Sequence, residues 1–242
     1  MRGDSDRRAY DRGNTIFSPD GRLYQVEYAR EAVRRGSATV GVKTDESVVF
    51  ASDASVRSPL LDPDSVEKLH DVDGRLGVAS AGHVADARRL VDGARRFTQS
   101  ERLRYGEAPG VETTARAIAD DVQEATQSGG SRPFGVALLV GGYEGGDADA
   151  RPRLFETDPS GTPSEWRATA IGRGGDAIRE YLETEHVDGL DAADGVGLAL
   201  DALAVGSDAD LDAATTGVAV MDADGYRPLD DEAVAGHLGG AS

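Results

Sequence analysis

The sequence predicts an α+β fold in which two β-sheets lie face to face, with pairs of helices outside them. Three observations predict this architecture. The strand-like segments come in groups, the helix-like segments between the groups come mostly in pairs, and no linker divides the 242-residue chain. Because amphipathic helices and sheets must each bury an apolar face, this order favours two packed sheets with helices on both outer sides.

A turn and an amphipathic helix are predicted near the N-terminus. Residues 18–21 read Ser-Pro-Asp-Gly, with Pro and Gly at the second and fourth positions of a β-turn. A helix is then predicted from Leu23 to Arg35, ended by Gly36 as its C-cap. The residues before Tyr10 are small, charged and aperiodic, which is typical of a mobile tail.

Two hairpins and two long helices are predicted next. Each hairpin consists of two β-rich runs joined by a short turn, and the runs are 38–43 with 47–52 and 69–72 with 76–80. Apolar residues then recur at spacings of three and four, which indicates helices. The first of these helices contains 84–98 and the second 111–125.

Predicted strands and helices also alternate in the second half of the chain. Phe134–Gly142 is almost continuously apolar, as expected for a strand buried on both faces. The remaining predicted strands are Arg153–Thr157, Glu165–Ile171 and a hairpin around 222–225. The remaining predicted helices are Asp176–Glu185, Ala192–Gly206 and a short one at Asp231–Leu238.

The charge balance indicates a protein adapted to concentrated salt. The formal net charge is −18, and only two of the 26 basic residues, Lys43 and Lys68, are lysine. Clear apolar periodicity argues against a disordered chain, and acids spread along the sequence argue against a nucleic-acid mimic. Direct nucleic-acid binding is disfavoured because it needs a basic surface. The longest apolar run, Val136–Val140, is too short to cross a membrane, so we expect a cytoplasmic protein.

Residues for metal or cofactor chemistry do not form a complete site in the sequence. There is no cysteine, and the four histidines stand far apart. The run Asp208-x-Asp210-x-Asp212 lacks the glycine and the glutamate that close a calcium loop. Gly172-x-Gly174-Gly175 lacks the full phosphate-binding spacing. No cofactor and no metal are therefore predicted.

The N-terminal region closely resembles proteasome α subunits. The resemblance begins with Tyr-Asp-Arg at 10–12 and continues through Thr-Ile-Phe-Ser-Pro-Asp-Gly-Arg-Leu-Tyr-Gln-Val-Glu-Tyr-Ala at 15–29. It extends to about Leu238, through segments 65–69, 81–88, 129–135, 158–161 and 170–172. The haloarchaeal branch of the archaeal family fits the acidic composition.

This resemblance implies a four-layer α-β-β-α sandwich of the N-terminal-nucleophile hydrolase type, with an N-terminal extension helix. Residues 1–12 would be a flexible gate segment and 13–242 a single domain, with the turn and helix in 13–36 and the sandwich in 37–242. The implied partners are other α subunits in a heptameric ring, β subunits that carry the proteolytic threonines, the C-termini of a regulatory AAA ATPase, and unfolded proteins in transit.

The resemblance also assigns site residues. The gate would contain Tyr10, Asp11, Arg12, Pro19 and Tyr28. The pocket for an ATPase C-terminus would contain Lys68, Gly82, Leu23 and His83. The pore constriction would contain Ser128, Gly129, Gly130, Ser131 and Arg132, although many relatives have Tyr at the position of Ser128. Lys68 is also notable because a chain nearly devoid of lysine keeps a compact cation there, suited to a terminal carboxylate.

A catalytic alternative stays open in the sequence. Ser37, Asp53 and Lys68 resemble the nucleophile, aspartate and lysine of the catalytic relatives. Cleavage after Gly36 would give Ser37 the free amine that serves as base in such enzymes. We expect instead that residues 1–36 stay attached, because an α subunit uses its amphipathic helix for ring packing, and that the subunit has no catalytic residue of its own.

Overall fold

A computed structural model describes residues 17–19, 21–56, 58, 60–62, 65–128, 131–145, 150–207 and 210–239. The helices within them are α1 Tyr24–Arg34, α2 Val84–Tyr105, α3 Val111–Gln127, α4 Gly175–Glu185, α5 Ala192–Val205 and α6 Asp231–Gly239. The strands are β1 Thr39–Lys43, β2 Val48–Asp53, β3 Leu69–Asp71, β4 Leu76–Gly82, β5 Val136–Glu144, β6 Arg151–Thr157, β7 Pro163–Glu165, β8 Ala168–Ile171, β9 Thr216–Asp222 and β10 Gly225–Pro228.

The strands form two antiparallel sheets. The first sheet has the order β10-β9-β2-β1-β8, and the second has the order β3-β4-β5-β6-β7. The predicted hairpins are confirmed, because β1 pairs with β2, β3 with β4 and β9 with β10. In the first of them Thr39 lies opposite Ser52 and Lys43 opposite Val48.

Three apolar clusters separate four layers. The central cluster lies between the two sheets and includes Phe50, Leu139 and Leu154. A second cluster joins the outer face of the first sheet to α4, α5 and α6, and a third joins the outer face of the second sheet to α2 and α3. The predicted α-β-β-α sandwich is therefore confirmed.

Helix α1 packs against β4 and β5 of the second sheet. Its buried residues are Val26, Ala29 and Val33, which is the apolar stripe seen in the sequence. Val33 belongs to the central cluster between the sheets. Only residues 35–38 separate the end of α1 from the start of β1. The N-terminal helix is therefore joined to the sandwich by a short connection.

One predicted strand is wrong. Glu165–Ile171 is not continuous: β7 pairs with β6 in the second sheet, and β8 pairs with β1 in the first. The backbone crosses between the sheets at 166–167, where Trp166 N donates to Leu154 O at 2.9 Å and Lys43 N donates to Arg167 O at 2.7 Å. A run of β-forming residues does not reveal which sheet each half joins, because that depends on partners far away in the chain.

Candidate functional site

The Lys68 ammonium lies half-buried against the segment that joins α1 to β1. Its Nζ donates a hydrogen bond to Ser37 O at 3.2 Å. Burial lowers the pKa of Lys68 to about 8, with Asp53 opposing this shift and Arg173 adding to it. Near neutral pH the group is still mostly charged but poorly solvated, a state that an incoming carboxylate would stabilise.

Ser37 and Asp53 are neighbours of Lys68, as the resemblance implies. The Ser37 hydroxyl donates to Asp53 O at 2.7 Å, and Asp53 N donates to Ala38 O at 3.0 Å. In the intact chain, however, the nitrogen of Ser37 is an amide. A free-amine base would require cleavage between Gly36 and Ser37.

Gly36 and Gly82 are in backbone contact. A Cβ on Gly36 would lie 2.4 Å from Gly82 N, and a Cβ on Gly82 would lie 2.4 Å from Gly135 O. Gly82 also has φ +120°, a conformation that L side chains rarely adopt. Gly36 O accepts a hydrogen bond from Arg173 N at 2.8 Å. These contacts hold the end of α1 against the end of β4.

The four predicted pocket residues are not equally close together. Lys68 and Gly82 flank the same Gly36–Ser37 segment, and His83 follows Gly82 as the N-cap of α2, with an exposed side chain. Leu23 is the N-cap of α1. The eleven-residue helix is about 16 Å long, so within one copy of the chain Leu23 lies far from the other three.

Two of the predicted gate residues are described. Pro19 is exposed in the predicted turn, where Gly21 N donates to Ser18 O at 2.8 Å. Tyr28 lies on α1 and is 54% exposed. Both are therefore accessible at the surface in a single copy of the chain. Tyr10, Asp11 and Arg12 lie outside the described residues.

The predicted constriction residues follow α3. Ser128 is its C-cap, and Ser131 N donates to Ser128 O at 3.2 Å. Arg132 binds the Asp86 carboxylate through both terminal nitrogens, at 2.7 Å each. Gly129 and Gly130 lie outside the described residues. Sequence reasoning missed the role of Asp86, for which its position in the first turn of a helix was the available signal.

A cleft of about 670 Å³ runs along α1 and was also missed. Arg30 bridges it, with Nη2 2.7 Å from Asp158 Oδ2 and Nη1 2.8 Å from Glu27 Oε1. Glu156 lines the wall, where burial raises its pKa although the Thr169 hydroxyl donates to it at 2.8 Å. Arg30 and Asp158 are 128 residues apart, so only the helical spacing of Glu27 and Arg30 was visible beforehand.

The described residues contain no group of three or more His, Cys, Asp and Glu side chains placed to hold a metal ion. Among the described helices, none is both long enough and apolar enough to span a membrane.

Comparison with protein families gives two matches that together cover most of the chain. Residues 33–221 match the family described as proteasome subunit. Residues 10–32 match the family described as the N-terminal signature of A-type proteasome subunits. The second match includes most of α1, and the first begins near the end of that helix.

Curated relatives are similar over nearly the full length of the chain. The proteasome alpha subunit of Natronomonas pharaonis is 54% identical over 241 residues, which is 98% of this chain and 93% of the relative. The proteasome alpha subunit of Halobacterium salinarum is 58% identical over 231 residues, or 95% and 90%. Proteasome alpha subunit 1 of Haloferax volcanii is 58% identical over 208 residues, or 86% and 81%.

Proposed function

This chain belongs to the proteasome subunit family and carries its A-type N-terminal signature, and on that premise we propose that it is the non-catalytic α subunit of an archaeal core particle. In this proposal it forms a heptameric outer ring on a ring of β subunits in the cytoplasm. Unfolded proteins pass through the axial channel of the α ring to the proteolytic threonines of the β subunits.

The observation that carries the proposal is the close packing at the C-terminal end of helix α1. The A-type signature covers residues 10–32, and the glycine after the helix packs on Gly82 with no room for a side chain. This packing supports a helix that stays attached, which leaves Ser37 without a free amine. A subunit of this kind contributes a channel and a docking surface, and the chemistry belongs to its partners.

The gate is the first part of the proposal that can be tested. Residues 1–12 are polar and precede the surface turn at Pro19, so copies of this segment would obstruct an axial channel without packing tightly. Deleting Met1–Arg12 is expected to raise the hydrolysis of short fluorogenic peptides by the assembled particle several-fold. Deleting Gly240–Ser242, a short segment at the other terminus, serves as control. An unchanged rate after the N-terminal deletion would exclude the gate.

The docking pocket is the second part. We propose that Lys68 receives the C-terminal carboxylate of a regulatory ATPase, with Gly82 and His83 beside it and Leu23 supplied by a neighbouring copy of the chain. The separation of Leu23 within one copy supports a pocket shared between two subunits. Lys68→Ala is expected to abolish ATPase-stimulated degradation while rings and basal peptide hydrolysis are kept. Lys43→Ala removes the chain's other lysine and should change neither activity.

The pocket should also depend on pH. A carboxylate needs the protonated Lys68, whose pKa is about 8. Binding should therefore persist below that pH and be lost as the pH rises through it. A peptide with the C-terminal residues of the ATPase is expected to bind about tenfold more weakly at pH 9 than at pH 7. Calorimetric titration on assembled rings measures this, and Lys68→Arg should remove the pH dependence.

An autoprocessed hydrolase that uses Ser37 is the second candidate. The contact of Lys68 Nζ with Ser37 O, beside Asp53, favours it. Intact mass of the purified chain distinguishes the two candidates, because processing would remove residues 1–36. A product that begins at Ser37 would support the hydrolase and contradict the gating subunit.

A further inference from the structure

The Asp86 carboxylate joins two segments that are far apart in the sequence. Asp86 lies in the first turn of α2 and is 7% exposed. Arg132 binds it with two hydrogen bonds of 2.7 Å, and Gly135 N donates to Oδ2 at 2.9 Å. Arg132 Nη1 also donates to Pro133 O at 2.9 Å. The buried Asp86 carboxylate thus binds both the Arg132 side chain and the Gly135 backbone amide of the 131–135 segment.

The backbone of the same turn adds a second attachment. His83 N donates to Gly135 O at 2.9 Å, and Gly82 packs so closely that a Cβ would lie 2.4 Å from that same oxygen. The 131–135 segment is therefore attached to residues 82–86, the end of β4 and the first turn of α2, by side-chain and backbone contacts together. We call residues 82–86 the connecting turn.

The connecting turn also contacts the proposed docking pocket. A Cβ on Gly36 would lie 2.4 Å from Gly82 N, and the carbonyl of the next residue, Ser37, accepts the hydrogen bond from Lys68. The turn thus has the proposed pocket on one side and the end of the proposed constriction, Ser131 and Arg132, on the other. These contacts therefore form a short, rigid connection between the proposed docking pocket and the 131–135 segment.

The Asp86–Arg132 pair stays ionised over the working range of pH. Burial would raise the pKa of Asp86, but the hydrogen bonds from Arg132 and Gly135 N outweigh it, and the pKa lies below its ordinary value. A carboxyl with a lowered pKa contributes stability above its unfolded pKa of about 4 and loses it only as the pH falls through the folded value. The Asp86 carboxylate is therefore charged near neutral pH, where it also faces His83 Nδ1 at 3.6 Å.

We propose that Asp86 is a positioning residue that fixes the 131–135 segment on the connecting turn and thereby sets how closely Ser131 and Arg132 approach a chain that passes through the channel. This inference rests on the proposed function, since it takes Ser131 and Arg132 to border the channel. It adds a residue outside the constriction that determines the size of the polypeptide admitted.

The test measures size selection in particles that lack Met1–Arg12, so that the gate does not limit the rate. Three substrates are compared: a short fluorogenic peptide, a linear unfolded protein, and the same protein closed into a loop by a disulfide. Asp86→Asn keeps the shape of the side chain but loses its charge. It is expected to raise the ratio of looped to linear degradation several-fold, with the short-peptide rate unchanged.

Hydrogen exchange measures the attachment independently of proteolysis. In Asp86→Asn the amide of Gly135 loses a charged acceptor, so deuterium uptake across 131–137 should be faster while uptake in α3 stays the same. Asp92→Asn is the matched control on the same helix, where Asp92 pairs with Arg95 at 3.6 Å at the surface. The control should change neither the ratio nor the exchange.

Arg132→Lys provides a second variant in case Asp86→Asn does not assemble. It keeps the positive charge but cannot bind both carboxylate oxygens as a planar fork, and it should move both readouts in the same direction. An unchanged ratio of looped to linear degradation in an assembled variant overturns the inference. Failure of the gate proposal is distinguishable from this result, because in that case the Met1–Arg12 deletion would not raise the rate of short-peptide hydrolysis.

Discussion

Three segments of the chain meet at Gly82. The backbone of Gly36 lies on one side of it and that of Gly135 on the other, and the residue itself has φ +120°. A side chain at this position would have to displace backbone atoms, which cannot move independently of α1 or β5. The regions proposed for docking and for the constriction are therefore joined at a point where a side chain would clash with backbone atoms.

Gly82→Ala is expected to lower the free energy of unfolding by about 2–4 kcal/mol, because it combines a strained backbone conformation with overpacking. Gly197→Ala is the matched control: a Cβ there meets nothing within 4 Å, and alanine in α5 should raise the free energy of unfolding by up to about 1 kcal/mol. Thermal unfolding of assembled rings at one protein concentration measures both. Equal stability of the two variants would contradict the close contact.

At the scale of elements, Arg153 holds one end of the second sheet to α3. It is 8% exposed and pairs with Glu144 and Glu165 at 2.8 Å and with Glu112 at 3.0 Å. Glu144 Oε2 also accepts from Val111 N at 2.5 Å, and so caps the N-terminus of a helix whose own N-cap is Gly110. One arginine on β6 thus orients carboxylates from β5, β7 and α3.

Arg153→Ala is expected to lower the free energy of unfolding by about 1–2 kcal/mol, since it removes a well-packed side chain and leaves the Glu144 carboxylate, which is only 20% exposed, without its arginine. The exposed Arg104, which lies 3.4 Å from Glu101 on α2, gives the comparison. Arg104→Ala should cost about 0.5 kcal/mol or less. Chemical denaturation in concentrated salt measures the two free energies of unfolding. Similar losses would show that Arg153 stabilises the fold no more than an exposed ion pair does.

Elements also show where local patterns stop being informative. The paired helices, the hairpins and the stripe on α1 were predicted well, because each depends on residues close together in sequence. The division of Glu165–Ile171 between two sheets was not, because Trp166 and Arg167 bond to strands β6 and β1 from distant parts of the chain. The single-domain boundary at residue 13 stays a prediction.

At the scale of the whole molecule, the net charge of −18 predicts that the folded chain and the proposed ring depend on salt. Lowering KCl from about 1 M to about 0.01 M lengthens the Debye length from about 3 Å to about 30 Å, so repulsion between acidic surfaces is no longer screened. The thermal midpoint should fall and rings should dissociate. Sucrose at low salt is the control, since it strengthens apolar burial without screening charge. A salt-independent midpoint would contradict the halophilic interpretation.

The sequence by itself determined the α-β-β-α order, the family and the charge balance, because periodicity, motif and composition are properties of neighbouring residues or of simple sums. It also gave Lys68 and Gly82 as candidate site residues, an assignment that stays a prediction. Only the tertiary structure decided that Lys68 donates to Ser37, that Arg30 bridges to Asp158, and that Asp86 holds Arg132 and Gly135. Those relations arise when folding brings segments tens of residues apart within hydrogen-bond distance, and no local pattern encodes them.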